Sequence, residues 1–253
     1  MHAPLLNLSG NHVLIIGGSR GIGAASAVLA AQAGARVTIT YVRGRAAADE
    51  VVTTIVRAGG QAQAIAADIT DIASLSAAMT TAVAAFGPLT GLVVSAGLFE
   101  GKPLREMSVE FWDNVVGVNL RGTFLSVKAA EPLMTDGASI VIYTSTAGQR
   151  GSAVFSAYAT AKGGQIMFMR SMAQELAPRR IRVNCIAPSW TETEMSAGTM
   201  DAIGREKILA GCPLGRVGLP QDVAGGTVFL LSSLASFITG TTMTIDGAID
   251  MRG

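Results

Sequence analysis

The chain has little of what holds metals or cross-links small folds. Its 253 residues include two cysteines, Cys185 and Cys212, and two histidines, His2 and His12. A structural zinc site usually needs about four Cys/His ligands close together, and these four do not cluster, so no metal site is expected. Two distant cysteines make no disulfide framework, and a reducing, cytoplasmic setting is expected. Charge is also scarce, with 19 Lys and Arg against 18 Asp and Glu, net +1. No basic excess points to nucleic acid or an anionic membrane surface. The opening MHAPLLNLSG has neither a basic segment nor a sustained apolar core, so no signal peptide is expected. Stretches 72–99 and 223–245 carry no charge at all. Both exceed the ~20 residues that span a bilayer. Gly87-Pro88 breaks the first, however, and Gly, Ser and Thr dilute the second, so each reads as a helix followed by a buried strand. No membrane span is expected.

Aromatics make up 5% of a chain that is 49% hydrophobic, so the apolar content is mostly Ala, Val, Ile and Leu. That composition suits helices packed on strands buried on both faces. The pattern alternates accordingly. Strands are predicted at 13–16, 36–41, 63–67, 89–94, 138–144, 182–187 and 243–246. Helices are predicted at 21–33, 46–58, 72–86, 111–134, 155–176 and 222–232. Strands alternating with helices of this length imply βαβ units and one doubly wound parallel α/β sheet of about seven strands. No composition break suggests a second domain, so residues 1–253 read as one. The only long connection is 188–219, which suits a substrate loop, with a short helix near 200–210.

Gly17-Gly18-Ser19-Arg20-Gly21-Ile22-Gly23 follows the first strand and opens the first helix. Glycines there let the backbone approach a pyrophosphate, whose charge a helix N-terminus favours. The same residues spell G-x-S-x-G, the nucleophile-elbow pattern of hydrolases. That chemistry needs a histidine after the serine, and both histidines precede Ser19, so a Ser-His-Asp triad is not expected.

Tyr158 and Lys162 lie four residues apart on a predicted helix, hence on one face. An ammonium near a phenol favours the phenolate. At about 4 Å and an effective dielectric of ~20 the pair is worth roughly 4 kcal/mol, enough to bring a tyrosine from ~10 toward ~7. Ser145 ends the fifth predicted strand, and ligands of such sheets sit outside the carboxyl ends of the strands. The serine hydroxyl and the phenol can therefore reach one carbonyl oxygen.

Taken together, GGSRGIG at 17–23, Asp68, Ser-Ala-Gly at 95–97, Asn119, Ser145, Tyr158, Lys162, VNCIAP at 183–188 and ITG…IDG at 238–247 resemble the short-chain dehydrogenase/reductase family over nearly the whole chain. The 3-oxoacyl-carrier-protein reductase-like branch is the nearest likeness. The resemblance implies a three-layer Rossmann fold and a catalytic set of Asn119, Ser145, Tyr158 and Lys162. It implies coenzyme contacts from Gly17, Ser19, Arg20, Gly21, Ile22 and Gly23, from Tyr41 and Arg43, and from Asp68 and Ile69. Ser95, Ala96, Gly97, Tyr158, Lys162, Pro188, Thr191 and Thr193 complete that set. Substrate is expected at Ser145, Gln149, Tyr158 and Trp190. In these roles Tyr158 donates or accepts the proton, Lys162 tunes it and holds the nicotinamide ribose, Ser145 orients the substrate oxygen, and Asn119 supports a water relay.

Four positions depart from the family pattern: Ile16 for Thr, Val94-Ser95 for Asn-Asn, Ser189 for Gly and Ala248 for Gly. The first two remove polar groups that knit the glycine loop to its neighbours, and altered loop stability is expected. Ser189 puts the path of the substrate loop in question. The second strand ends without a carboxylate before Asp49, and Arg20 and Arg43 suit a 2′-phosphate, so NADP is expected over NAD. The leading expectation is an NADPH-dependent carbonyl reductase acting on 3-oxoacyl-thioester-like substrates. The alternatives are an alcohol or sugar dehydrogenase and a non-catalytic coenzyme-binding sensor or scaffold. A homotetramer or homodimer is implied, with 223–245 as a contact surface.

Overall fold

The computed structural model describes residues 6–250. Seven strands form one parallel sheet: β1 His12–Ile16, β2 Arg36–Tyr41, β3 Gln61–Ala66, β4 Leu89–Val94, β5 Met134–Tyr143, β6 Arg182–Pro188 and β7 Thr242–Ile245. Their order is β3-β2-β1-β4-β5-β6-β7, so the chain reverses its winding between β1 and β4. That reversal opens a crevice at the carboxyl ends of the strands.

Helices cover both faces. Alternate residues of β1 show why: Val13 and Ile15 join a core with α1 (Gly21–Gln32), α2 (Arg45–Arg57) and α10 (Pro220–Leu231). Leu14 and Ile16 join the opposite core with α3 (Ile72–Phe86), α5 (Gly122–Ala130) and α7 (Ser156–Glu175). The strands therefore alternate between two cores rather than between core and solvent.

The helix expected over 111–134 is not one helix. Residues Val109–Val116 form α4, then Gly117–Arg121 take a π-helical turn before α5 begins. Pro132 ends the run in a 3-10 turn, and Met134 already belongs to β5. The short helix expected near 200–210 is two, α8 Glu194–Ile203 and α9 Arg205–Ala210, split at Gly204 with φ +97°. A five-residue helix, α6 Thr146–Arg150, was not expected at all.

His12 is buried at the start of β1, at the opposite end of that strand from Ser19. Its Nδ1 donates to the Gly87 carbonyl at 2.7 Å, so its Nε2 accepts from the Thr38 hydroxyl at 2.9 Å. It is therefore a neutral structural link. His2 lies outside the described residues. Burial lowers the His12 pKa below its ordinary value of 6.5. An unfolded chain binds this proton as pH falls below 6.5 and the folded chain resists it. Stability is thus fully present above that pH and is lost below it, with a slope of at most about 1.4 kcal/mol per pH unit. Thermal melts from about pH 8 to 5 should show this decline in the wild type and a flatter one in His12→Gln.

Candidate active site

The glycine loop is built by exclusion. Gly17 has φ +81°, and a Cβ there would lie 2.7 Å from the Ala96 nitrogen. A Cβ on Gly23 would lie 2.2 Å from the Gly17 carbonyl oxygen. Despite the departures at Ile16 and Val94-Ser95, the loop is fully tied. Gly17 N–H donates to the Thr40 hydroxyl at 3.2 Å and Gly18 N–H to the Thr40 carbonyl at 3.0 Å. Ser95 and Ala96 N–H both donate to the Ile16 carbonyl at 2.9 Å. Thr40 on β2 and backbone bonds thus tie down a loop that lacks the family's polar groups at 16 and 94.

The N-terminus of α1 has no side-chain cap and no acid in its first turn. Asp71, Ser108 and Thr193 do cap α3, α4 and α8. An uncapped N-terminus behind a glycine turn fits a dinucleotide pyrophosphate. Thr193 brings the 188–219 connection onto this spot, with its Cγ2 3.3 Å from where a Gly21 Cβ would be. Arg20 pairs with Glu194 at 2.8 Å, a second tie between glycine loop and α8. Ser19 is half-buried in the loop, and Ile22 packs on the core under α1. Tyr41 is half-buried at the end of β2, and Arg43 beyond it is exposed, with no ion pair among the described residues.

Asp68 follows β3 and accepts from the Thr70 N–H at 2.8 Å and hydroxyl at 2.7 Å, which hold its carboxyl below the usual range. It is not a helix cap, since Asp71 holds that place. The Ile69 side chain is buried against Gly122. Pro188 ends β6, and Thr191 is buried with its hydroxyl on the Ser189 carbonyl at 3.1 Å. Ser189 donates to the Asp246 carbonyl at 3.3 Å, which fixes the start of the 188–219 connection on the end of β7. Ala248 takes φ +68°, a conformation suited to the glycine it replaces.

Ser145 caps α6, accepting from Ala147 N–H at 3.1 Å. That bond uses one of the two acceptor lone pairs of the hydroxyl and leaves its O–H free to donate. Lys162 is buried, and its Nζ donates to the Tyr143 carbonyl at 2.7 Å. The Thr144 hydroxyl donates to the Lys162 carbonyl at 2.6 Å, so the end of β5 holds both ends of that residue. Asn119 sits in the π turn, fully buried. Its amide donates to the Val115 and Leu98 carbonyls at 2.9 and 3.1 Å and accepts from Leu98 N–H at 3.2 Å. Gly97 has no room for a Cβ, which would meet Asn119 Oδ1 at 2.6 Å. The four expected catalytic residues are therefore gathered at the carboxyl ends of β4 and β5.

The electrostatics differ from the simple pair argument. Burial pushes the Tyr158 phenol up to about 12, with the Ser145 hydroxyl acting in the opposite sense. Burial also brings Lys162 down to about 8. The lysine ammonium lies 5.6 Å from the phenol ring centroid and is turned onto a backbone carbonyl. Desolvation thus outweighs the ammonium at Tyr158 and favours the neutral phenol.

Phe99 forms the wall beside it. It stacks on Phe155 at 4.7 Å and meets Tyr158 and Trp190 edge-on at 5.0 and 6.0 Å. Trp190 is thus in the site, whereas Gln149 is turned to the Thr244 hydroxyl at 3.2 Å. Phe155 gave no signal of its own in the sequence. Among the described residues no cluster of three His, Cys, Asp or Glu could hold a metal, and no helix is long and apolar enough to cross a membrane.

Residues 17–249 match the family model described as Enoyl-(Acyl carrier protein) reductase, of the short-chain dehydrogenase/reductase kind. The chain belongs to the short-chain dehydrogenase/reductase family. It is an oxidoreductase of that family, whose members use NAD(P). The family likeness is global. A 3-oxoacyl-[acyl-carrier-protein] reductase of Synechocystis is 36% identical, covering 96% of this chain and 98% of that protein. A cis-4-hydroxycyclohexanecarboxylate dehydrogenase of Sinomonas cyclohexanicum is 39% identical over 92% of this chain and 94% of its own. The crystal structure of a dehydrogenase/reductase from Sinorhizobium meliloti superposes with a TM-score of 0.93 at 36% identity, covering 97% of each chain.

Proposed function

We propose that this short-chain dehydrogenase/reductase is an NADPH-dependent carbonyl reductase that turns a ketone into a secondary alcohol. The observation that carries the reading is the half-buried Tyr158, hydrogen-bonded to Ser145 and edge-on to Phe99 at 5.0 Å, with its phenol pKa pushed up to about 12. The bound nicotinamide would supply the hydride. Ser145 O–H holds the substrate oxygen, and Tyr158 gives it a proton as negative charge develops there. Asn119, Ser145, Tyr158 and Lys162 act as one unit. Residues 188–219 serve as the substrate loop of a single domain. A phenol whose pKa is raised by desolvation is a proton donor at neutral pH, the role that the reductive direction needs.

Arg43 and the absence of a carboxylate at the end of β2 support NADP. Arg20 supports it less directly, because its guanidinium is engaged by Glu194. Arg43→Ala should raise the KM for NADPH by about 10-fold or more, the usual weight of a charge-assisted hydrogen bond, and leave the KM for NADH unchanged. Equal effects on both coenzymes would remove the 2′-phosphate role.

A 3-oxoacyl thioester is the first substrate class to test. A second reading, a cyclic secondary alcohol or its ketone, is favoured by the aromatic wall of Phe99, Phe155 and Trp190. The deciding experiment is NADPH consumption, with NADH in parallel, against β-keto thioesters and cyclic ketones. Turnover confined to thioesters or to rings selects between the two. No turnover with either, or with the matching alcohols and NADP+, would sink both. A homotetramer is supported by Phe237, fully exposed within the uncharged 223–245 segment. Two buried free cysteines suit a reducing cytoplasm.

A further inference from the structure

Gln165 lies on α7 three residues past Lys162 and seven past Tyr158, so the three share one helix face. It is fully buried. Its amide nitrogen donates to the Asn119 carbonyl at 2.9 Å and to the Thr123 hydroxyl at 2.7 Å. The Thr123 hydroxyl gives its own proton to that same carbonyl, at 2.7 Å. This pattern fixes which way the amide faces. A carbonyl can only accept, and a hydroxyl whose proton is already committed must accept as well. The Gln165 amide oxygen therefore points away from both. It is buried and has no hydrogen-bond partner among the described residues.

A bare buried amide oxygen costs about 1–3 kcal/mol. A leucine or methionine at this position would carry no such cost, so packing alone does not account for a glutamine. Buried acceptors of this kind are commonly met by an internal water. The Gln165 side chain starts one helix turn past Lys162 on α7, its amide nitrogen is held by Asn119 of the π turn and Thr123 of α5, and Cys185 Sγ of β6 lies 3.9 Å from its backbone carbonyl.

We propose that Gln165 is a positioning residue of the proton relay: its NH2 group clamps the Asn119 carbonyl, and its amide oxygen seats a buried water one turn of α7 beyond Lys162. This rests on the reading of Tyr158 as proton donor. After each reduction the Tyr158 phenolate must regain one proton, ultimately from solvent. A relay through water beside Lys162 and Asn119 needs those waters held at fixed distances. The Gln165 amide supplies one fixed acceptor for that purpose, and its two N–H groups hold the Asn119 carbonyl and the Thr123 hydroxyl in place.

Gln165→Met keeps the side-chain volume and removes both amide functions. Its melting temperature should match or exceed that of the wild type, since an unpaired acceptor is gone. The KM values for NADPH and ketone should stay within about two-fold while kcat falls about 10-fold, the low end of what a misplaced catalytic group costs. The pH profile of kcat should shift as well, which a purely structural role would not cause. Unchanged kcat and pH profile in Gln165→Met would overturn the relay role. A crystal structure of the coenzyme-free wild type supplies a readout independent of turnover. An ordered water on the amide oxygen is expected, and a dry site there would overturn the proposal. If the wild type reduces no carbonyl, the functional reading fails by itself. The crystal then decides alone whether Gln165 seats a water.

Discussion

Tyr158→Phe is expected to lower kcat/KM for ketone reduction by about 10³-fold or more, within the range assigned to a positioned general acid. The substitution removes one oxygen and leaves the ring, so the contact with Phe99 at 5.0 Å is kept. The glycine loop, the Thr40 bonds and the α1 N-terminus lie on other elements. NADPH titration should therefore give the wild-type affinity within a few-fold. A variant that kept wild-type turnover would refute Tyr158 as donor. Loss of turnover together with loss of NADPH binding would point to a positional role instead.

The wild-type pH dependence tests the same assignment from another side. Reduction needs the phenol protonated, and burial pushes its pKa up to about 12, so Tyr158 imposes no loss of rate across neutral pH. Oxidation needs the phenolate, so the reverse rate should rise with pH over that whole range. Lys162 adds a second limb. Brought down to about 8, it sheds its charge above that pH. Reduction should weaken there if the ammonium is required. Measuring both directions between about pH 6 and 10 separates the two groups.

The glycine loop and the Ser145–Tyr158–Lys162 set were legible because each is carried by residue types that few other roles demand in that order. The sheet was legible because Val, Ile and Leu runs recur between Ala-rich helices. The electrostatic direction was not. A pair argument from sequence counts the ammonium, but it sees neither the desolvation of the phenol nor the Tyr143 carbonyl that accepts the lysine's hydrogen bond. The break at Gly117–Arg121 was also hidden. A π turn keeps helical composition and differs only by one extra residue in the ring. Thr40 was hidden for another reason: it reads as an ordinary β-branched strand residue, and only the fold brings its hydroxyl to Gly17.

Gly148 shows most clearly how a site can depend on an atom that is missing. It lies on α6, three residues after Ser145, where that helix crosses α7. A Cβ there would sit 2.6 Å from the Lys162 carbonyl carbon, 2.7 Å from the Gly163 nitrogen and 2.8 Å from the Lys162 Cβ. Two of these three are backbone atoms of α7, so no side-chain rotation can relieve the overlap. Gly148→Ala must therefore push α6 away from α7 and separate Ser145 from Tyr158 and Lys162. A displacement near 1 Å costs about 10²-fold in rate, and overpacking costs about 1–3 kcal/mol of stability. Gly163→Ala is the control. Its Cβ meets the Gly148 carbonyl oxygen at 3.0 Å and the carbonyl carbon at 3.9 Å, a milder approach, and it gains helix propensity. The expected order in kcat is wild type, then Gly163→Ala, then Gly148→Ala far below, with NADPH affinity little changed in all three. Equal rates in the two variants would mean that α6 moves freely against α7 and that the glycine crossing does not set the serine–tyrosine distance.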